Sequence, residues 1–239
     1  MKGKEWYQAT EVAEEYDNKR FSRGGKVIDR RERAAVIEAL GPVEDKTILE
    51  IACGTGRFTA MLGQLGANVI GIDISGPMLQ QGQAKARRAG ITKDATFIRG
   101  DAARLPFPDD HFDAVFAMRF FHLAPTPERF LREMRRVSKD VIFFDTFNAR
   151  STRTAYNWLL PMGSRLYNTN DVMELLDATE LHLERSAHDF VLPYGLYRII
   201  PGPVARALRR LDTQIGRTDL GDCIASVSFW HTTISDDGV

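Results

Sequence analysis

Short apolar segments alternate with amphipathic ones between residues 47 and 147, and this alternation limits the possible folds more than any other feature. The apolar segments have the length of strands and cover 47–53, 68–74, 95–100, 112–118 and 140–147. Between these segments, the spacing of apolar residues predicts helices over 57–65, 76–89 and 127–137. The helix over 76–89 has Ser75 as its cap and Pro77 in its first turn. Strands that are apolar throughout and alternate with helices are typical of a parallel sheet covered on both sides. We therefore expect an α/β protein with a doubly wound, mostly parallel sheet.

The regular alternation of predicted strands and helices ends at residue 148. The elements predicted there are a helix over 170–178 capped by Asn170, an amphipathic helix over 203–215, and two long strands over 181–192 and 223–234. No clear helical pattern directly follows the first of these strands. An antiparallel pair that closes the sheet therefore fits them better than another parallel unit, and the expected sheet has seven strands.

The composition of the chain disfavours several classes of function and location. Hydrophobic residues make up 44% of the 239 residues, and the formal net charge is zero, so nothing in the charge balance favours nucleic acid. Cys53 and Cys223 are far apart and lack metal-ligand spacing, which indicates a reducing compartment and no disulfide framework. His182, His188 and His231 lie on predicted strands without ligand spacing, so no metal is expected. The charged amino terminus and the lack of a long apolar run predict neither a signal peptide nor a transmembrane segment, so the cytoplasm is the expected location.

The segment from Glu50 to Gly56 has the chemistry of a cofactor loop. Gly54 and Gly56 form a tight turn between a strand and a helix, where the backbone approaches a ligand closely. Asp73 ends the second strand, where a carboxylate accepts hydrogen bonds from a ribose diol, and Asp101 follows the third, where it accepts from an adenine amino group. Glu50 would repel a nucleotide diphosphate, but it favours the cationic amine and sulfonium of S-adenosylmethionine (SAM).

The ordered set ILEIACGTGRF, VIGIDIS and GDAARLPFPDDHFDAV resembles the successive motifs of class I SAM-dependent methyltransferases. The resemblance covers residues 45–147 and is nearest to the small-molecule branch that includes quinone-biosynthesis enzymes. It implies a Rossmann-like fold, SAM as methyl donor with S-adenosylhomocysteine as product, and a small-molecule acceptor. Ala52 departs from the family, which usually has a glycine there.

The resemblance also implies a cofactor site. Its expected members are Glu50, Ala52, Gly54, Gly56, Asp73, Ile74, Met78, Asp101, Ala102 and Met118, joined by Tyr16 and Arg20 of the amino-terminal segment, which has helical spacing over 5–20 and 28–40. Each feature taken alone is equally compatible with an ordinary turn or strand-end cap. We expect a single domain over 1–239, with a helical lid (1–41), a SAM-binding core (42–147) and an acceptor-side insertion with closing strands (148–239).

The acceptor is expected over the ends of the fourth and fifth strands. His122 follows the fourth strand and is our candidate base, although methyl transfer depends more on positioning than on a base, and a packing role is the alternative. Arg153, Tyr156 and Tyr167 follow the fifth strand and suit a planar or acidic acceptor, with a solvated helix as the alternative. The basic amphipathic helix over 203–215 suits either a lid or peripheral contact with a membrane.

Three other functions remain open. A nicotinamide-dependent oxidoreductase would have a third glycine at Thr59 and no Glu50 before the loop. A non-catalytic SAM-fold binding subunit is compatible with the sequence, although the cofactor motifs are intact. A nucleic-acid methyltransferase is disfavoured by the zero net charge and by the absence of a DPPY or NPPY tetrapeptide after the fourth strand. Neither the target atom nor the oligomeric state follows from the sequence.

Overall fold

A seven-stranded sheet forms the centre of the molecule, and the order of its strands determines where the loops and helices lie. The computed structural model describes residues 7–159 and 164–234, without the side chains of Tyr156, Trp158, Leu159 and Tyr194. Within these residues the sheet has the order β3-β2-β1-β4-β5-β7-β6. Its strands are β1 (Thr47–Ile51), β2 (Asn68–Asp73), β3 (Ala95–Arg99), β4 (Phe112–Ala117), β5 (Ser138–Phe147), β6 (Leu181–Asp189) and β7 (Val227–Ile234). Strands β1 to β5 pair in parallel, whereas β7 is antiparallel to both β5 and β6. The predicted Rossmann-like sheet with an antiparallel last pair is confirmed.

Helices connect and cover the strands. They are α1 (Thr10–Phe21), α2 (Gly25–Leu40), α3 (Arg57–Gln64), α4 (Gly76–Ala89), α5 (Pro127–Val137), α6 (Arg153–Leu159), α7 (Thr169–Ala178), α8 (Tyr194–Ile199), α9 (Gly202–Gly216) and α10 (Asp219–Ile224). None of the helices in the described parts of the chain combines the length and apolar character needed to cross a membrane.

Two cores form on the two faces of the sheet because successive side chains of a strand point in opposite directions. On β1, Ile48 packs into the core that also contains residues of α2, α8 and α9, whereas Leu49 packs into the core formed with α5 and α7. Both side chains are fully buried. This two-sided burial is the reason that the strands are mainly apolar.

The structure corrects several expectations about the caps and bounds of individual elements. The cap of α7 is Asn168 and not Asn170, because Asn168 accepts the Asp171 N–H while Asp171 accepts the Asn168 N–H. Residues 223–226 do not belong to the last strand, because Thr218 accepts the Gly221 N–H and starts α10 instead. Helix α8 follows β6 after four residues, where no helix was expected. At the amino end α1 lies over 10–21 and not 5–20, and α2 begins at Gly25 and not at residue 28.

Candidate functional site

A crevice opens at the carboxyl edge of the sheet, where β1 lies between β2 and β4 and the connections run in opposite directions. It contains about 910 Å³ of empty space, part of it open to solvent. Of the twelve predicted cofactor residues, ten line this cavity: Tyr16, Arg20, Ala52, Gly54, Asp73, Ile74, Met78, Asp101, Ala102 and Met118. The sheet thus brings together side chains that are up to about a hundred residues apart in sequence.

Asp73 organises the floor of this cavity. Its two carboxylate oxygens accept the Gly54 N–H and the Ser75 N–H, each at 2.8 Å. Ser75 in turn caps α4 by accepting the Met78 N–H at 3.3 Å, as predicted from its position before Pro77. Burial raises the pKa of Asp73, and the backbone donors oppose this shift. Each carboxylate oxygen has a further lone pair, so Asp73 can accept hydrogen bonds from a ligand while it holds the loop.

The backbone conformation of the loop between β1 and α3 accounts for its glycines and for the effect of Ala52 at a position where the family has glycine. Ala52, Gly54 and Gly56 all have positive φ, at 52°, 54° and 64°. This region costs a residue with a Cβ roughly 1–2 kcal/mol, which is a physical reason for the family's glycine at the position of Ala52. A Cβ on Gly54 would meet nothing within 4 Å, so the loop leaves open space above its backbone. A Cβ on Gly56 would lie 2.2 Å from the Phe97 ring, so Gly56 is required for packing and does not line the cavity.

Glu50 lies behind the loop and not in the main cavity. It lines a smaller adjoining cavity of about 460 Å³ together with Gly54, Arg20 and Arg198. Its carboxylate accepts the Thr59 N–H at 2.7 Å and also the Thr59 hydroxyl. Burial raises the pKa of Glu50 from 4.5 to about 7, although the Thr59 hydrogen bonds oppose the shift.

Glu50→Gln is expected to flatten the dependence of stability on pH between about 4.5 and about 7. The raised pKa means that the folded chain holds a proton in this window that the unfolded chain releases, so the free energy of unfolding of the wild type falls as the pH rises. Glutamine carries no such proton. Urea unfolding at a series of pH values measures the slope, and Glu15→Gln, at an exposed glutamate of α1, is the control. Equal slopes for wild type and Glu50→Gln would contradict the expectation.

Helix α1 lies over the cavity and is held there by polar contacts. Asp17 accepts the Thr55 hydroxyl at 2.7 Å and pairs with Lys85 at 2.9 Å, and Lys85 also donates to the Thr55 carbonyl at 2.9 Å. Farther along, the Ser75 hydroxyl donates to the Tyr7 carbonyl at 2.7 Å. The amino-terminal segment is therefore attached to both the glycine loop and the start of α4.

A buried ionic network connects α2 to residues that line the two cavities. Glu32 is 1% exposed and pairs with both Arg57 and Arg119, while Arg119 also pairs with Asp145 at 2.9 Å. Arg57 pairs in addition with Asp29 at 2.7 Å. The network fixes the segment after β4, where Arg119 has a positive φ of 60° and lines both cavities.

His122 and Arg153 lie close together, and neither they nor Tyr167 line the walls of the two cavities. His122 is buried against Phe147, with ring centroids 4.8 Å apart, and Arg153 stacks 3.4 Å from the centre of the same ring. Burial lowers the pKa of His122 well below its ordinary value, and the charges of Arg119 and Arg20 lower it further. Tyr167 is 2% exposed and donates to the Phe121 carbonyl at 3.0 Å, an arrangement typical of packing. Tyr156 lies in α6, and its side chain is outside the described residues.

Several cavity residues were missed by the sequence reasoning. Arg119 and Phe120 directly follow Met118, and their position at the end of β4 was a usable signal. Glu32 occupies an apolar position of the amphipathic pattern of α2, which is itself a signal of a buried charge. Arg198 comes from α8, and no local pattern connects it to the cavity.

Comparison with known proteins agrees with this architecture. Residues 49–141 match a family model described as a methyltransferase domain. The demethylmenaquinone methyltransferase of Renibacterium salmoninarum is 38% identical over 131 residues, which are 54% of this chain and 52% of that protein. The ubiquinone/menaquinone biosynthesis C-methyltransferase of Citrobacter koseri is 34% identical over 134 residues, with 54% and 52% coverage. The chain thus spans about half the length of the curated relatives that it matches.

Solved structures share the whole fold at low identity. Magnesium protoporphyrin IX methyltransferase from Synechocystis, crystallised with SAM, has a TM-score of 0.68 and 15% identity, covering 97% of this chain and 95% of that one. The [4+2]-cyclase SpnF has a TM-score of 0.64 and 21% identity, covering 85% and 80%. The resemblance to class I methyltransferases, based on the motifs between residues 45 and 147, is confirmed.

Proposed function

We propose that this chain, a class I methyltransferase in its fold and core motifs, binds SAM and transfers its methyl group to a small-molecule acceptor. The observation that carries the proposal is the convergence of Gly54, Asp73, Asp101 and Met118 on one cavity at the carboxyl edge of the sheet. The match of residues 49–141 to a methyltransferase domain supports it independently.

The residues present fit SAM in charge and in shape. The space above Gly54 leaves room for a ligand at the backbone, and a mostly apolar crevice with a few polar groups is typical of small-molecule sites. Asp73 is proposed to hold the ribose, Asp101 and Ala102 the adenine, and Ile74 and Met78 the adenosine between them. Glu50, Ala52 and the turn that Gly56 makes possible support the methionine end, where Arg20 is proposed to meet the carboxylate beside Tyr16 and Met118.

SAM, when bound, supplies a methyl group that its sulfonium already activates. The chain therefore has to orient two molecules and exclude water, more than to provide a strong acid or base. The contacts of Asp17 and Tyr7 support the proposal that residues 1–41 act as a lid over the SAM-binding core, 42–147. Residues 148–239 are proposed to form the acceptor side of the same single domain.

A quinone-type or other planar aromatic molecule is the proposed acceptor. The curated relatives are named for methylation of demethylmenaquinone and in ubiquinone biosynthesis. Aromatic side chains of the cavity wall, among them Tyr7, Phe120 and Phe130, suit a planar ring. Carbon methylation follows from the name of one relative and is proposed here on that ground.

His122 remains a prediction as the base on its position after β4, although burial lowers its pKa well below the ordinary value and so makes the ring a weaker base. Arg153 remains a prediction as an acceptor contact, because it stacks on Phe147 beside His122. The buried hydroxyl of Tyr167 gives less support to its predicted role than the position of Arg153 does. Tyr156 stays a prediction on its sequence position alone.

The alternatives receive less support. For a nicotinamide oxidoreductase, the third glycine would have to replace Thr59, which is fully buried and donates to Glu50. A binding subunit without catalysis remains an alternative, because the fold does not by itself determine a reaction. A reducing compartment such as the cytoplasm is the proposed location, since both cysteines are free thiols and Cys223 is exposed.

The proposal is tested by incubating the chain with SAM and demethylmenaquinol and analysing the products by mass spectrometry. We expect an acceptor that is heavier by one methyl group and an equal amount of S-adenosylhomocysteine. Methylation of phenols or carboxylic acids in a parallel panel, but not of the quinol, would contradict the quinone-type acceptor. Binding of SAM without S-adenosylhomocysteine formation from any acceptor of the panel would contradict methyl transfer.

A further inference from the structure

Helix α8 brings an arginine from the carboxyl-terminal part of the chain to the candidate cofactor site. Arg198 lines the smaller cavity of about 460 Å³, together with Arg20 of α1 and Gly54 of the glycine loop. Arg198 lies well beyond residues 49–141, which match the methyltransferase domain. The wall of this cavity therefore includes a residue that the family match does not cover.

Contacts with the amino-terminal helices and with the end of β6 hold α8 beside the cavity. The Gly24 N–H donates to the Ile200 carbonyl at 3.2 Å. A Cβ on Gly24 would lie 2.0 Å from the Tyr197 carbonyl oxygen, so α8 approaches the turn between α1 and α2 this closely because the residue there is glycine. Tyr197 is fully buried, and its ring centroid lies 5.4 Å from that of Phe190. Since the same turn directly follows the end of α1, Arg20 and Arg198 come from segments that are packed against each other.

The charges around the smaller cavity favour an anionic ligand group. The charged side chains that line it are Arg20, Glu32, Glu50, Arg57, Arg119 and Arg198. The ion pairs of Arg57 and Arg119 involve three carboxylates, so these two guanidinium groups are neutralised. Burial raises the pKa of Glu50 to about 7, so its carboxyl group is only partly ionised near neutral pH. The positive charges of Arg20 and Arg198 therefore exceed the remaining negative charge of the wall.

Arg20 and Arg198 act on the same buried groups. Burial raises the pKa of Tyr7, whereas the charges of Arg20 and Arg198 lower it. Burial lowers the pKa of His122, and the same two charges are among those that lower it further. The described contacts of Arg20 are with the Tyr7 hydroxyl at 3.5 Å and with the Tyr16 ring at 4.9 Å, and both are neutral groups. These shared effects indicate that the two guanidinium groups lie in the same region of the site.

We propose that Arg198 and Arg20 together bind the carboxylate of SAM, so that α8 completes the cofactor site from the carboxyl-terminal part of the chain. This assignment rests on the proposed function. The two cavities adjoin, because Ala52, Gly54 and Met118 line both. An elongated ligand with its adenosine in the larger cavity therefore extends its amino-acid end toward the arginines. A planar guanidinium group suits that end, because it binds a carboxylate with two parallel hydrogen bonds.

The test is titration calorimetry of the full chain with SAM and with decarboxylated SAM, which lacks only the carboxylate. We expect the wild type to bind SAM at least about tenfold more tightly than decarboxylated SAM. Arg198→Met keeps the length of the side chain but removes its charge. It should weaken SAM binding by about tenfold or more and change the binding of decarboxylated SAM by less than about twofold. Arg198→Lys should lie between the wild type and Arg198→Met.

The matched control is Arg206→Met, at an exposed arginine of α9 that lines neither cavity, and it should bind both ligands like the wild type. Melting curves that match the wild type establish that each variant is folded.

Three results would overturn the assignment. The first is a wild type that binds SAM and decarboxylated SAM equally. The second is a folded Arg198→Met that binds SAM like the wild type, and a raised KM for the acceptor in this variant would then assign Arg198 to an anionic group of the acceptor. The third is an equal loss of affinity for both ligands in Arg198→Met, which would mean that Arg198 shapes the cavity without contacting the carboxylate. A wild type that binds neither ligand would contradict the proposed function as well, so the two failures are distinguishable.

Discussion

Asp73→Asn is expected to weaken the binding of SAM by roughly a hundredfold. The substitution removes the charge of the carboxylate proposed to accept from the ribose, and hydrogen bonds to a charged group contribute about 1.5–3 kcal/mol each. A loss of about 3 kcal/mol corresponds to roughly a hundredfold in dissociation constant. Titration calorimetry with SAM and with S-adenosylhomocysteine measures the effect.

The control for this experiment is Asp113→Asn. Asp113 also accepts a backbone N–H, that of Thr47 at 2.8 Å, but it lies at the amino end of β4, away from the cavity. It pairs with Lys139 at 2.8 Å near the surface. We expect Asp113→Asn to bind SAM like the wild type. Unchanged SAM binding by a folded Asp73→Asn would contradict the proposed place of the ribose.

Glu32→Ala is expected to lower the free energy of unfolding by about 3–5 kcal/mol. The substitution leaves the guanidinium groups of Arg57 and Arg119 buried after the loss of a carboxylate that pairs with both. Arg57 keeps Asp29 and Arg119 keeps Asp145, but each guanidinium group loses hydrogen bonds in the interior, which is costly, whereas an exposed pair contributes little. Urea unfolding at constant pH measures the change.

Glu38→Ala is the matched control on the same helix. Glu38 pairs with Arg31 at 3.3 Å, but its side chain is 57% exposed, so the expected change is below about 1 kcal/mol. Glu32→Gln keeps the volume and the acceptor while removing the charge, and should lie between the two. A loss for Glu32→Ala no larger than that for Glu38→Ala would show that the network does not stabilise the fold.

The central part of the fold and most of the candidate cofactor site could be predicted because their signals are local. Strands β1 to β5 are mainly apolar, and the parallel arrangement places their carboxyl ends at one edge. Gly54, Asp73 and Asp101 each occupy the end of such a strand or the loop after it, so the sequence order alone places them near one another. Ser75 and Pro77 predicted the start of α4 for the same local reason.

Other features could not be predicted, either because two neighbouring residues suit the same role or because the feature depends on contacts between residues that are far apart in sequence. Asn168 and Asn170 both suit a helix cap, and only the reciprocal bond with Asp171 selects the first. Arg198 and Glu50 line the same cavity but are far apart in sequence, and nothing local predicts how α8 packs. Tyrosine is common in binding sites, but the hydroxyl of Tyr167 donates a hydrogen bond to the Phe121 carbonyl inside the protein.

The fold does not by itself decide the reaction. Both a methyltransferase and a [4+2]-cyclase share it with this chain at 21% identity or less. Function therefore has to be argued from the side chains at the carboxyl edge of the sheet. We propose that Asp73 below the glycine loop and Glu50 behind it suit a ligand with a ribose and a cationic amino-acid end.

Titration calorimetry of the wild-type chain with SAM, S-adenosylhomocysteine and NADH tests whether the crevice is a SAM site. We expect SAM and S-adenosylhomocysteine each to bind at one site with a dissociation constant on the order of micromolar, corresponding to about 8 kcal/mol, and we expect NADH not to bind. The absence of heat and of a melting-temperature shift with both SAM and S-adenosylhomocysteine, or binding of NADH in their place, would contradict a SAM site.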